Sequence, residues 1–123
     1  ENKPLFYNQS EGETVFADGK TVKEKYNAPL LINYTPNKVY KQLIEALNEV
    51  EDDVFDRISS IKYDPNDVDS GRFLVSMRDG NYVYLSINKF TEINNYIKII
   101  RKFENKKGIL YLDSGEYFKV MEG

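Results

Sequence analysis

Asp113-Ser114-Gly115 sets a hydroxyl beside a carboxylate close to the C-terminal end of the chain, residue types found around hydrolase nucleophiles. A serine nucleophile needs a base, and histidine is absent from the chain. The flanking residues also lack the glycine-serine-glycine spacing of a nucleophile elbow. Ser114 and Gly115 therefore read as a turn or a bulge. A second constellation, Asp64-Pro65-Asn66-Asp67-Val68-Asp69-Ser70-Gly71, gathers three carboxylates and invites a calcium reading. Counted from Asp67, Gly71 falls fifth instead of sixth, and counted from Asp64 the sixth residue is Asp69. Neither frame supplies the closing Glu, so this stretch reads as a polar loop between strands. Paired carboxylates for glycoside hydrolysis need only meet in space, but tryptophan platforms are absent. The expectation is a protein that is no enzyme and takes no cofactor or metal.

Composition narrows the partners. The 123 residues suit one domain, spanning 1–123, with a core of its own. The net charge of −3 and the short basic runs at residues 20–23 and 106–107 do not provide a face for nucleic acid. No cysteine is present, which removes disulfides and thiolate chemistry without fixing a compartment. No apolar run approaches the roughly 20 residues that cross a bilayer. The chain starts at Glu1 without Met, as expected of a fragment of something longer.

The elements follow from hydrophobic period and turn chemistry. Asp18-Gly19 between β-formers predicts a hairpin, and Leu30 to Tyr34 a short buried strand. Thr35-Pro36 predicts a capped helix start, with Val39, Leu43, Leu47 and Val50 forming one apolar stripe. Glu51-Asp52-Asp53 suits the N-terminus of a short second helix carrying Val54, Phe55 and Ile58 inward. Ile61 to Tyr63 begins a sheet. Period-two alternation of Phe73, Val75 and Met77, and then of Val83, Leu85 and Ile87, flanks Asp79-Gly80 and predicts an antiparallel hairpin. Ile93, Ile97, Ile100 and Phe103 predict a helix capped by Thr91 and ended near Gly108. Ile109 to Leu112 and Glu116 to Val120 close the chain as strands. The fold class expected is α+β, a mostly antiparallel sheet with helices on one face and a terminal edge strand open to a partner. The Thr35-Pro36 and Asp64-Pro65 bonds are places where a cis isomer could form.

The order of these pieces resembles one family along nearly the whole chain. Pro4-Leu5-Phe6-Tyr7, the hairpin around Asp18-Gly19, Ala28-Pro29-Leu30-Leu31, the hairpin around Asp79-Gly80 and the helix around Asn94-Asn95-Tyr96 follow in family order. Lys106 to Val120 is the most specific segment. Together they resemble the membrane-distal β-domain of the bacterial cell-division proteins FtsQ and DivIB. The resemblance implies a non-catalytic divisome scaffold at the septum, a single-pass protein with a POTRA domain and a transmembrane helix upstream and this domain on the extracytoplasmic side. It implies partners of the FtsL and DivIC/FtsB type, one of which adds a strand to the terminal strand. Carried over onto this sequence, the contact residues are Leu112, Asp113, Ser114, Gly115, Glu116, Tyr117, Phe118 and Lys119, with Lys62 and Tyr63 as a second contact. Strand alternation places Phe118 and Val120 toward the core and Tyr117 and Lys119 toward a partner. Ser114 and Gly115 would let the edge bend or admit another backbone. The other reading of the Tyr-rich surface is a cell-wall module that binds peptidoglycan.

Overall fold

The computed structural model describes residues 2–104 and 106–121. Among these residues one sheet runs in the order β3-β2-β1-β4-β5-β6-β7-β8-β9. The strands are β1 (Pro4–Asn8), β2 (Glu13–Phe16), β3 (Thr21–Val22), β4 (Leu30–Ile32), β5 (Ile58–Tyr63), β6 (Arg72–Met77), β7 (Tyr82–Ser86), β8 (Gly108–Tyr111) and β9 (Tyr117–Val120). The helices are α1 (Asn37–Leu47), α2 (Asp52–Phe55) and α3 (Tyr96–Arg101), with a 3-10 stretch, Ile87–Asn95, leading into the last.

The expectation of a mostly antiparallel sheet is corrected: the sheet is mixed. β1 with β4, β4 with β5, and β7 with β8 pair in parallel. The reason lies in the connections. Loops that reverse the chain directly make antiparallel neighbours, whereas a helical segment between neighbouring strands carries the chain back and makes them parallel. The α1–α2 segment joins β4 to β5, and the 3-10 stretch with α3 joins β7 to β8.

One sheet face is covered. Phe73, Val75, Val83, Leu85 and Leu110 alternate inward and join Leu43, Leu47, Phe90, Ile93 and Tyr96 in a single buried cluster. The β6–β7 turn forms as its residues dictate. Gly80 sits at φ +94°, and the Asp79 side chain accepts a hydrogen bond from the Asn81 amide at 3.1 Å.

Several local expectations shift. Thr35 does not cap α1: Pro36 holds the N-cap position, and Thr35 Oγ1 is buried with no hydrogen-bond partner among the described residues. Ile58 belongs to β5 and not to α2. The third helical segment starts at Ile87, with no side-chain cap from Thr91. The 3-10 stretch buries Phe90 and Ile93, three positions apart as its period dictates, and α3 buries Tyr96, Ile99 and Ile100. A reading at the α-helical period picked Ile97, which is only partly buried. α3 ends at Arg101, Glu104 turns the chain at φ +51°, and Gly108 opens β8 instead of ending a helix. Val120, expected in the core, is 44% exposed. Among the described residues no peptide bond is cis, and no helix is long and apolar enough to cross a membrane.

Candidate functional site

The last strand is built on an anchor. Gly108 opens β8 where a Cβ would strike the Lys119 carbonyl and lie 2.9 Å from the Phe118 ring, so only glycine lets β9 lie this close. A buried hydrogen-bond chain holds Gly108 in place. Its amide donates to Asn81 Oδ1 at 2.8 Å, Asn81 Nδ2 donates to the Tyr96 hydroxyl at 2.9 Å, and that hydroxyl donates to Asp79 Oδ2 at 2.6 Å. Burial, reinforced by the bond to Asp79, pushes the Tyr96 phenol well above its ordinary value. The β6–β7 turn, α3 and β8 are thereby tied at one point.

β9 then pairs antiparallel with β8, with Tyr111 opposite Tyr117, Leu110 opposite Phe118, Ile109 opposite Lys119 and Gly108 opposite Val120. It stands last in the sheet order. The Met121 amide donates to the Lys107 carbonyl at 2.9 Å. In that alternation Tyr117 and Lys119 turn their backbone groups toward β8, and Phe118 and Val120 turn theirs away from the sheet.

The side chains follow the pleat. Phe118 packs on the helix-covered side against Phe103, with ring centroids 4.5 Å apart. Tyr117 lies on the open face and is 63% exposed; Val120 and Met121 also leave apolar surface uncovered. Glu116 reaches Lys102 at 3.5 Å, an exposed pair of little energetic weight. Leu112 is buried and its amide donates to the Tyr84 carbonyl at 2.9 Å. Asp113 is half-buried, with Oδ1 lacking a hydrogen-bond partner among the described residues. Ser114 is exposed, and Gly115 turns at φ +134°.

The structure brings residues 112 to 119 into one hairpin end but does not join both groups predicted from the sequence. Lys62 shares the open face with Tyr117 through the cross-strand row Lys62, Leu74, Tyr84, Tyr111 and Tyr117. Four strand spacings, roughly 19 Å, separate the two. Tyr63 lies opposite Phe73, on the covered side, where its ring packs at 5.4 Å and its hydroxyl donates to the Ser70 carbonyl at 2.6 Å. The three carboxylates of the 64–71 loop are not gathered around a common point. Asp64 pairs with Arg72 at 3.2 Å, and Asp69 accepts from the Gly71 amide.

Sequence reasoning missed a row of rings on the open face. Tyr84 stacks on Tyr111 at 5.3 Å and 20°, and Tyr111 lies 5.8 Å from Tyr117. The Arg72 guanidinium sits 4.3 Å from the Tyr84 ring centroid, braced by Asp64. The outward tyrosine phase of β7 was visible in the sequence; its alignment with β8 and β9 depends on the parallel register at β7–β8.

A mixed sheet covered on one face by a few helices and ending in a short hairpin strand defines a small mixed α/β domain. No family model matches the sequence. The chain is 31% identical over 121 residues to cell division protein DivIB of Bacillus subtilis (strain 168), covering 97% of this chain and 45% of that protein. It is 28% identical over 95 residues to cell division protein DivIB of Listeria monocytogenes, covering 76% of this chain and 35% of that one. The major extracytoplasmic domain of the trans isomer of DivIB from Geobacillus stearothermophilus has the same fold. There the TM-score is 0.68 at 21% identity, over 85% of this chain and 95% of that one. The chain is a domain of the FtsQ/DivIB family. It spans less than half the length of these curated relatives.

Proposed function

We propose that this chain is a non-catalytic interaction module of the division machinery that binds a partner by strand addition at β9. The observation that carries the reading is the terminal strand itself. An edge strand offers unpaired N–H and C=O groups, and proteins commonly shield such an edge with charge, proline or a covering element. Here Phe118 and Val120 direct backbone groups outward, and Tyr117, Val120 and Met121 are exposed beside them. Main-chain bonds to an incoming strand supply affinity, and flanking side chains supply choice. The naming of the relatives as cell division proteins supports the divisome setting.

Partners of the FtsL and DivIC/FtsB type, a single-pass anchor upstream, an extracytoplasmic position at the septum and a single domain over residues 1–123 complete the proposal. An NMR titration of the labelled domain with the extracellular part of an FtsL–DivIC-type pair tests it. Shifts concentrated in residues 109–121 and the facing residues of β7 are expected. Shifts confined to β1–β3, or none at saturating partner, refute the edge site. A cell-wall module is a weaker reading, because Tyr84 and Tyr111 stack on each other and leave Tyr117 as the one strongly exposed ring of the row. Sedimentation with purified cell wall separates the two.

A further inference from the structure

We infer that the strand added to β9 carries a planar side chain, aromatic or guanidinium, directly across from Tyr117, and a carboxylate two residues away across from Lys119. The inference rests on the strand-addition reading and names the partner's chemistry.

The ring row is a stack with one closed end and one open end. Arg72, held by Asp64, covers one face of Tyr84. Tyr84 and Tyr111 cover each other, and Tyr111 and Tyr117 adjoin at an interplanar angle of 37°. Each member is supplied by the next strand across: β6, β7, β8 and β9. The row advances one strand at a time because Tyr84, Tyr111 and Tyr117 are direct cross-strand partners. Tyr117 is the last member. Tyr111 flanks one side of its ring, and its 63% exposure leaves the other side to solvent. A strand added beyond β9 places its directly opposed residue about 5 Å from Tyr117 on the same face. Tyrosine faces attract another ring in an offset or tilted arrangement, or a guanidinium as Arg72 already does at the far end. An aliphatic residue there would bury area without continuing the stack.

Lys119 belongs to the same face of β9, two residues on. Lys119 is exposed and stands opposite the uncharged Ile109 of β8. Opposite charges across a strand pair stabilise it and like charges destabilise it. The two requirements together give a short pattern on one face of the partner strand: a planar residue and a carboxylate at positions i and i+2, in an order set by strand direction.

The test uses this domain and the same FtsL–DivIC-type pair, read by calorimetry, with thermal melts confirming that each variant folds. Val120→Pro removes the outward N–H and probes strand addition alone. Tyr117→Ile keeps a strand-forming apolar side chain but ends the stack at Tyr111, and Tyr117→Phe keeps the ring. Lys119→Glu reverses the charge. The inference predicts affinity about three- to tenfold weaker for Tyr117→Ile and within twofold of wild type for Tyr117→Phe. Lys119→Glu is also weaker, and its deficit shrinks in high salt. If Val120→Pro abolishes binding while Tyr117→Ile binds like wild type, strand addition stands and the stacking inference falls. If neither variant alters binding, or wild type does not bind the pair, both fall.

Discussion

Tyr96→Phe deletes one oxygen from the chain that ties the β6–β7 turn to β8, and its cost can be worked from the geometry. The hydroxyl accepts from Asn81 Nδ2 at 2.9 Å and donates to Asp79 Oδ2 at 2.6 Å. Asn81 is 1% exposed, so water cannot replace the lost acceptor, and an orphaned buried amide donor costs about 1–3 kcal/mol. Asp79 is half-buried, so water resolvates part of its carboxylate and the second loss falls at the low end, about 1 kcal/mol. The sum is about 2–4 kcal/mol, a fall of about 8–16 °C in Tm for a chain of this length. Urea denaturation at pH 7 reads the first number. A pH series supplies a second, independent one. The Tyr96 pKa is raised in the folded state, first by burial and then by its bond to Asp79, so the native protein keeps this proton to higher pH than the unfolded chain does. Its contribution is therefore fully present below the ordinary phenol value of 10.0 and is lost as pH rises from there toward the folded value. The slope is at most about 1.4 kcal/mol per pH unit. Tyr40 is shifted in the same direction, chiefly by burial, but it is common to both proteins, so the difference between wild type and variant isolates Tyr96. A loss below 1 kcal/mol at pH 7 together with an unchanged alkaline slope would refute the claim that this hydroxyl ties the turn to β8.

Four further outcomes follow from particular contacts. Gly108→Val drives a side chain into the Lys119 carbonyl and the Phe118 ring, so hydrogen exchange at the β9 amides should accelerate while the β5–β7 amides stay protected. Leu47→Ala empties a fully buried site between α1 and the sheet and should cost about 2–5 kcal/mol in urea denaturation. Thr35→Val replaces a buried hydroxyl that has no partner among the described residues by a methyl group, so the variant should melt at or above the wild-type temperature; a loss above about 1 kcal/mol would restore a capping or bonding role. Glu116→Gln breaks an exposed ion pair with Lys102 and should change stability by less than about 0.5 kcal/mol at physiological salt.

How far the sequence reveals this fold depends on whether a signal is local. The Asp79-Gly80 hairpin and the inward phase of Phe73, Val75, Met77, Val83 and Leu85 were legible because a tight turn fixes both register and face. The acidic start of α2 was legible because carboxylates at a helix N-terminus act within one turn. The parallel junctions were not: nothing within β7 or β8 states that a helical crossover will lay them side by side. The last helical segment was legible in part: Ile93 and Ile100 are buried as an α-helical period requires, but the 3-10 stretch that leads into α3 turns Phe90 inward as well, and Ile97 is only partly buried. Thr35 failed as a cap although it has the right residue type: Pro36 takes the N-cap position, and the Thr35 hydroxyl is buried without a partner among the described residues.

The candidate site divides along the same line. Residues 112 to 119 are contiguous, so a segment-level resemblance could carry them together onto one hairpin end. Lys62 and Tyr63 are adjacent in sequence, yet adjacent strand residues point to opposite faces. One lies on the row that leads to Tyr117 and the other packs beneath the sheet against Phe73. The ring row needs two separate registers before its members meet, since Tyr84, Tyr111 and Tyr117 come from strands joined by both a helical crossover and a hairpin. Alternation within one strand was therefore enough to turn Tyr117 and Lys119 outward, whereas the stack of Tyr84 and Tyr111 behind Tyr117 depends on pairings that no single segment states. Strand addition draws on the backbone of Phe118 and Val120, which any sequence offers. Selectivity would come from the face, where Tyr117 ends a stack that Arg72 begins three residue contacts away across the sheet.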